Sequence, residues 1–310
     1  MRRSQFGVLI CSALVVLSLI VTPGCWRGPA SQSTQRDGSP PQRIASISPS
    51  MTEILYGVGA WPQVIAVSQY CSYPDDVVNK PRINGWSSTN LEQVTMLKPD
   101  LVIGVDAQEA FVGEKLRALG IRAVFVKSQS LADIIAGIKE VGSAAGHERE
   151  ANELSDQIKT GIDEVRTKAT GSPRPRVLCV VDRVPGTLRD MYVATRGSFL
   201  DELIGVAGGE SIAPPAAYGY GYALITKEAI VSLNPDVIIE MVQRSKGRFA
   251  ENPGEVWREL AEVSAVRNGR IHSVRDLTAI HPSQFIGRTA RLFAHFIHPE
   301  IFPDVPDKSQ

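Results

Sequence analysis

The chain has 310 residues, with 33 Lys plus Arg against 33 Asp plus Glu, so charge offers no basic face and no nucleic-acid partner is expected. The length leaves room for two α/β domains behind a leader. Beyond Cys25 only Cys71 and Cys179 remain, without Cys-x-x-Cys or Cys/His metal spacing; falling in different halves, both are expected to be free and mostly buried.

Arg2 and Arg3 make a short basic start, and Phe6 to Val21 is an almost uncharged apolar run. Small and turn-forming residues follow, up to Gly24-Cys25. This is the three-part layout of a secretory signal, and the apolar run is short beside the ~20 residues of a spanning helix. Cys25 stands where a lipoprotein signal places its lipidated cysteine, although Thr22 and Pro23 depart from the usual pair before it. The plainer alternative is an uncleaved anchor or an ordinary cleavage nearby. Residues 1–25 are read as a lipoprotein-type signal peptide. Residues 26–42, rich in Ser, Gln, Pro, Gly and Arg, are read as a flexible linker to a folded body. The mature protein is expected in the periplasm or cell envelope, anchored to the membrane through Cys25.

The body alternates apolar runs with helical patterns. Ile44 to Ile47 reads as a strand, after which Pro49-Ser50 opens a helix with Ser50 and Glu53 spaced as a capping box. Val64 to Val67, Leu101 to Val105 and Ala123 to Val126 read as strands. Leu91 to Leu97, Glu109 to Leu119 and Leu131 to Ala145 read as helices, the last two stopped by Gly120 and Gly146. From His147 to Thr170 the residues Ala151, Leu154, Ile158, Ile162 and Val165 recur at helical spacing with charges between them, until Gly171-Ser172-Pro173 breaks the pattern. Alternation then resumes. Strands are predicted at Val177 to Val181, Val237 to Glu240 and Ile271 to Val274. Helices are predicted at Ser198 to Ile204, Lys227 to Leu233, Val256 to Val263 and Ser283 to Phe296. The expected fold is α/β: two Rossmann-like lobes, 43–146 and 173–310, joined by one long helix over 147–172, the plainer alternative being a surface helix of one larger domain.

One correspondence relates the halves. Leu91-Glu92-Gln93-Val94 leads to Lys98-Pro99-Asp100-Leu101-Val102-Ile103, and Lys227-Glu228-Ala229-Ile230 leads to Asn234-Pro235-Asp236-Val237-Ile238-Ile239. A capping residue, Asn90 or Thr226, stands two before each glutamate. Glu92 and Glu228 then fall in the first turn of two equivalent helices, where the helix dipole alone favours an acid. As a pair they also present one carboxylate per half, suited to arginines on a partner.

Tyr70, Tyr73 and Trp86 follow strand-like segments of the first half, and Tyr218, Tyr220 and Tyr222 lie in a Gly-rich loop of the second. Aromatics so placed can stack on a flat ligand, though a self-packed loop is the bland alternative. His281 precedes Pro282 in a strand-to-helix loop and could ligate a cofactor metal, although most lone histidines do not. His295 and His298, three apart, lack a third ligand, so no resident metal is expected. No P-loop, Gly-x-Ser-x-Gly, His-Glu-x-x-His or dinucleotide fingerprint occurs, and no catalytic residue is assigned.

Arg43-Ile44-Ala45-Ser46-Ile47-Ser48-Pro49-Ser50-Met51-Thr52-Glu53-Ile54-Leu55 resembles the opening of class III periplasmic substrate-binding proteins. Tyr70-Cys71-Ser72-Tyr73-Pro74, Asn90-Leu91-Glu92 with Lys98-Pro99-Asp100, and Gly197 to Leu203 with Ala207-Gly208-Gly209 continue the resemblance. It implies two lobes joined by one long helix with the ligand cleft between them, and capture of vitamin B12, haem or ferric siderophores for an ABC importer, by a monomer that docks one glutamate per lobe onto permease arginines. Glu92 and Glu228 occupy those places. The vitamin B12-binding proteins are the most similar group: Tyr70 and Trp86 match corrin-contacting aromatics, and Tyr222 falls where a tryptophan is expected. Val105 replaces another tryptophan, and Thr278-Ala279-Ile280-His281 lacks an expected Glu-Arg pair. A corrinoid is therefore the first expectation for the transported ligand, with haem or a ferric siderophore next and no cofactor required. A metal-dependent surface enzyme and a structural surface lipoprotein stand as readings of other classes.

Overall fold

The structure is a computed structural model, and it describes residues 39–83, 85, 87–216, 221–241 and 253–304. Residues 39–304 fall in one compact unit. The sequence-predicted leader, with Cys25, lies outside the described residues, as do Trp86, Tyr218 and Tyr220. Ordered contacts begin before Arg43: Pro41 is buried, and Gln63 Nε2 donates to its carbonyl at 2.8 Å. The last residues assigned to the linker therefore pack on the body.

The first half contains β1 (Ile44–Ser46), α1 (Pro49–Gly57), β2 (Val64–Val67), α2 (Leu91–Leu97), β3 (Leu101–Val105), α3 (Asp106–Ala118), β4 (Ala123–Val126) and α4 (Leu131–Ala145). Its four strands are all parallel, in the order β2-β1-β3-β4. A parallel sheet is covered on both faces, which is why β3 reads as an unbroken apolar run and is buried at all five positions. Ser130 and Asp133 close a capping box at the start of α4, and Gly146 ends it at φ 83°, a left-handed turn that a side chain resists.

α5 (Glu148–Ala169) follows, 22 residues or about 33 Å long. Ala151, Ser155, Ile158, Ile162, Val165 and Ala169 form its buried stripe, at the helical spacing read from the sequence.

The second half runs β5 (Arg176–Asp182), β6 (Met191–Ala194), α6 (Phe199–Val206), β7 (Glu210–Ser211), β8 (Tyr222–Ile225), α7 (Lys227–Leu233), β9 (Val237–Met241), α8 (Pro253–Trp257), α9 (Ser264–Arg267), β10 (Ile271–Val274) and α10 (Ile286–Ile297). Its strands order as β10-β9-β5-β6-β8, with β7 beside the start of β5. β10, β9 and β5 are parallel; β6 is antiparallel to both β5 and β8. The sheet is thus mixed, and β6, β7 and β8 add to the strands predicted.

Alternate residues along the strands enter different cores. Leu101, Ile103 and Val105 of β3, Cys179 and Val181 of β5 and Ile239 of β9 share one large apolar cluster with α1, α4, α5, α6 and α10. Val102 joins a second cluster behind the first sheet, and Leu178, Val180 and Ile238 a third behind the second sheet. The large cluster therefore includes one face of each sheet and the stripe of α5. Hydrogen bonds also tie the halves: Phe199 N donates to Gln129 O and Leu131 N to Glu202 Oε2, both at 2.7 Å.

Two sequence expectations are corrected here. Ser48 holds the N-cap position of α1 without a side-chain capping bond, and Pro49 is in the first turn, so the cap lies two residues before the one predicted. Ser50 is buried against Ser48 Oγ at 2.8 Å, and Glu53 lies too far along to close a capping box. The helix predicted over Val256 to Val263 is broken. α8 gives way to a 3₁₀ turn, and Asn234 Oδ1 accepts from Ser264 N at 2.8 Å, starting α9 afresh after an extended Val263.

Candidate functional site

Glu92 and Glu228 open two helices of matching construction. Asn90 Oδ1 accepts from Gln93 N at 3.0 Å, and Thr226 Oγ1 accepts from Ala229 N at 3.2 Å. Each helix ends on a non-glycine residue in the left-handed region, Lys98 at φ 46° and Asn234 at φ 41°. Both glutamates are exposed. The Glu228 carboxyl is held below the usual range by its own backbone N–H, then by the Thr226 side chain, with Lys227 adding a smaller pull, so it stays anionic near neutrality.

Tyr70 sits in the turn after β2 and is 57 % exposed. Its ring lies against Gly85: a Cβ there would stand 2.9 Å from ring carbon Cε2 and 3.1 Å from the hydroxyl. The missing side chain lets the ring approach the backbone closely while the residue stays largely exposed. Tyr73, by contrast, is spent on packing, edge-on to Tyr56 at 5.2 Å and to Phe285 at 5.0 Å.

Tyr222 opens strand β8, paired with Ala194, and is not the loop residue expected. It is 40 % exposed as a residue, yet surrounding protein pushes its phenol up to about 12, burial being the main cause and the Cys179 thiol the second. Val105, matched to a ligand-contacting tryptophan by resemblance, is 3 % exposed and lies in the core.

The surroundings of His281 were not foreseen from the sequence. Its Nδ1 is 2.6 Å from Glu53 Oε1, Ser283 Oγ donates to Glu53 Oε2 at 2.5 Å, and Gln284 Nε2 donates to the Glu53 carbonyl at 2.8 Å. Glu53 belongs to α1 and the other three to the segment between β10 and α10, so this cluster joins the halves. Glu53 is 1 % exposed. A carboxyl so deep persists only with its oxygens hydrogen-bonded, and both are. The available signal was charge: Glu53 is the only Asp, Glu, Lys or Arg between Arg43 and Asp75. The segment is braced from behind, as Asp276 Oδ1 accepts from Thr278 N at 3.0 Å and Oδ2 from Arg288 Nη2 at 2.5 Å.

Among the described residues, Tyr70, Tyr222 and His281 make no ring contact or hydrogen bond with one another, and no group of three or more His, Cys, Asp or Glu is placed to hold a metal ion. A hollow of about 680 Å³ lies elsewhere, at the start of α5 beside Arg149, Glu150 and Glu153, and includes none of the predicted site residues. Among the described residues no helix is long and apolar enough to cross a membrane. Cys71 and Cys179 are buried free thiols, as expected.

Residues 44–276 match the periplasmic binding protein family. The chain is 29 % identical over 269 residues to an uncharacterized ABC transporter substrate-binding lipoprotein of Bacillus subtilis (strain 168), covering 85 % of this chain and 82 % of that one. Its fold is similar to that of the periplasmic vitamin B12-binding protein of Vibrio cholerae, with TM-score 0.71, 23 % identity, and coverage of 83 % and 97 %. It is also similar to a periplasmic haem-binding protein from Roseiflexus sp. RS-1, with TM-score 0.72, 24 % identity, and coverage of 84 % and 99 %. The metal-dependent enzyme held as an alternative is thereby set aside. The two-lobed α/β architecture and the matched residues together place this chain in the periplasmic binding protein family, as a substrate-binding protein of ABC transport and not an enzyme.

Proposed function

We propose that this protein captures a flat, metal-bearing macrocycle, a corrinoid before a haem, between its two halves and delivers it to a membrane permease. The observation that carries this reading is Tyr70, whose ring lies against Gly85 and which is still 57 % exposed. Such a ring costs little entropy to order and stacks on any planar conjugated surface. Tyr222, 40 % exposed at the start of β8, supplies a second aromatic from the other half. Trp86, Tyr218 and Tyr220 are proposed to complete the lining, and His281 to contact the ligand. The similar proteins carry names that specify vitamin B12 in one case and haem in another, so both ligands are kept. A ferric siderophore is the third alternative, being less planar and making less use of stacked rings.

In this reading 43–146 and 173–310 are the ligand-holding lobes, 147–172 is the connector, and Glu92 and Glu228 dock onto permease arginines. Residues 1–25 direct export, and Cys25 with the 26–42 tether holds a monomer at the membrane in the periplasm or cell envelope. The experiment is an ultraviolet–visible titration of the purified chain with cobalamin, haemin and a ferric siderophore. Saturable binding of a macrocycle at micromolar concentration or tighter is expected, weakened by Tyr70→Ala. Failure of all three to bind removes the reading.

A further inference from the structure

The Glu53–His281 pair does more than join the halves. A carboxylate only accepts hydrogen bonds, so the 2.6 Å contact from Glu53 Oε1 puts the imidazole proton on Nδ1. Nε2 is then the lone-pair nitrogen. Among the described residues it has no hydrogen-bond partner, and the His281 side chain is 19 % exposed against 2 % for Glu53, so its accessible edge faces away from the carboxylate. The Nδ1 contact with Glu53 orients the ring, and the Asp276–Arg288 pair braces the segment that carries it. A histidine whose Nδ1–H is given to a carboxylate, with ring and tautomer locked and Nε2 presented, has the outer-shell construction of a metal ligand. It also stands where ligands bind in open α/β sheets: its segment leaves the carboxyl end of β10, as the Tyr70 turn leaves that of β2.

Both Glu53 oxygens are already engaged, by His281 and Ser283, so the cluster has one donor to offer. One imidazole suffices only for a metal that brings its remaining donors with it. We infer that His281 Nε2 ligates the metal of the transported molecule, which is therefore a metallated planar macrocycle with an exchangeable axial position. This rests on the macrocycle-capture reading above. In the step itself the Nε2 lone pair forms a bond to the metal, one axial water leaves, and no electron is transferred. A ferric siderophore, whose iron is already fully ligated, gains nothing from His281.

The test uses the purified full chain with haemin and aquocobalamin, which both carry an exchangeable axial position, and with cyanocobalamin, whose axial positions are blocked. Absorption and electron paramagnetic resonance spectra of bound haemin, or the absorption spectrum of bound aquocobalamin, should show imidazole ligation, and whichever probe responds identifies the macrocycle. His281→Ala should lose that signature and about tenfold or more in affinity, and added imidazole should restore the spectrum. Glu53→Gln keeps shape but weakens the hold on Nδ1; it should retain ligation with about tenfold weaker binding and a shifted spectrum. Circular dichroism and unfolding curves establish that each variant is folded, and His281→Gln stands in should the alanine variant fail to fold. Wild-type binding of haemin or aquocobalamin with a spectrum and affinity that His281 variants leave unchanged overturns the inference while the capture reading stands. Binding of cyanocobalamin alone overturns it likewise. Binding of no macrocycle by the wild type overturns the capture reading itself.

Discussion

Asp100 and Asp236 hold equivalent places in the two halves. Asp100 Oδ2 accepts from Arg43 N at 3.1 Å and from Gln42 N at 2.9 Å, while Asp236 Oδ2 accepts from Arg176 N at 2.9 Å. Each aspartate's own N–H returns the bond, to Arg43 O at 2.7 Å and Arg176 O at 2.8 Å. The Pro-Asp turn after α2 or α7 thus clamps the start of the neighbouring central strand, β1 or β5. That contact gives the repeated Pro-Asp in the sequence a physical purpose.

Removing either clamp should destabilise the fold without touching ligand contacts. Hydrogen bonds to a charged acceptor contribute about 1.5–3 kcal/mol each, fewer where water can replace them. Asp236→Ala should lower unfolding free energy by about 2 kcal/mol, and Asp100→Ala, which serves two N–H groups, by somewhat more. Urea denaturation at unchanged slope reads this as a lower midpoint. A shift below about 0.5 kcal/mol in both variants would mean the clamps are incidental.

How much of this was legible follows from burial. Leu101–Val105 and Ala123–Val126 were predicted to the residue, because parallel strands read as plain apolar runs between turn signals. α2, α4 and α7 were likewise bounded correctly, with Asn90, Thr226 and Gly146 as the signals. β8 escaped because none of its four residues is buried and it follows a segment punctuated by glycine, and β6 carries the exposed Tyr192 among its apolar residues. Glu53 escaped for another reason. Its spacing from Ser50 imitates a local capping box, while its partners, His281 and Ser283, lie more than two hundred positions away. Local spacing cannot report such a contact; only the oddity of a lone charge in an apolar stretch hints at it.

His272 should govern part of the acid response. It stacks on Phe296 with ring centroids 4.6 Å apart, and burial first, then Arg270 and His295, lower its pKa to about 4. The unfolded chain binds this proton near pH 6.5, so between 6.5 and 4 the unfolded state holds more protons than the native one. Stability from this group is present above pH 6.5 and is lost as pH falls towards 4. The loss should be on the order of 1–2 kcal/mol after solvent screening. His272→Phe keeps the stack and should flatten the melting temperature over that range; an unaltered pH profile would contradict the assignment.

Cys71 and Cys179 should be silent in the native protein. Burial raises the first to about 11 and the second to about 12, and thiolate is the reactive form. Peptide mapping after alkylation at pH 8 should find both unmodified in native protein and modified in urea. At high pH the sign is opposite to that of His272. The unfolded thiols ionise near 9, so stability is complete below pH 9 and declines as pH rises through about 11 to 12. Serine at both positions should remove part of that alkaline loss; rapid labelling of either native thiol at pH 8 would show it to be exposed.

The paired glutamates separate a helix-dipole role from a docking role. If Glu92 and Glu228 only favour helix starts, replacing each by Gln should cost a few tenths of a kcal/mol, up to ~1, and nothing else. Both helices already have side-chain caps in Asn90 and Thr226, so neither needs its glutamate to begin. The charges are exposed, and that of Glu228 is reinforced by its backbone N–H and by Thr226, which suits a carboxylate kept available for an incoming cation. The double variant Glu92→Gln with Glu228→Gln should therefore bind ligand with unchanged affinity and melt within a degree or two of the parent, yet fail to support uptake in cells that carry the cognate permease. Binding of the purified pair should weaken with added salt for the parent, because exposed charge pairs are screened, and lose most of that salt dependence in the variant. Full uptake by the double variant would return both residues to the helix-dipole role and leave the docking surface to be sought elsewhere.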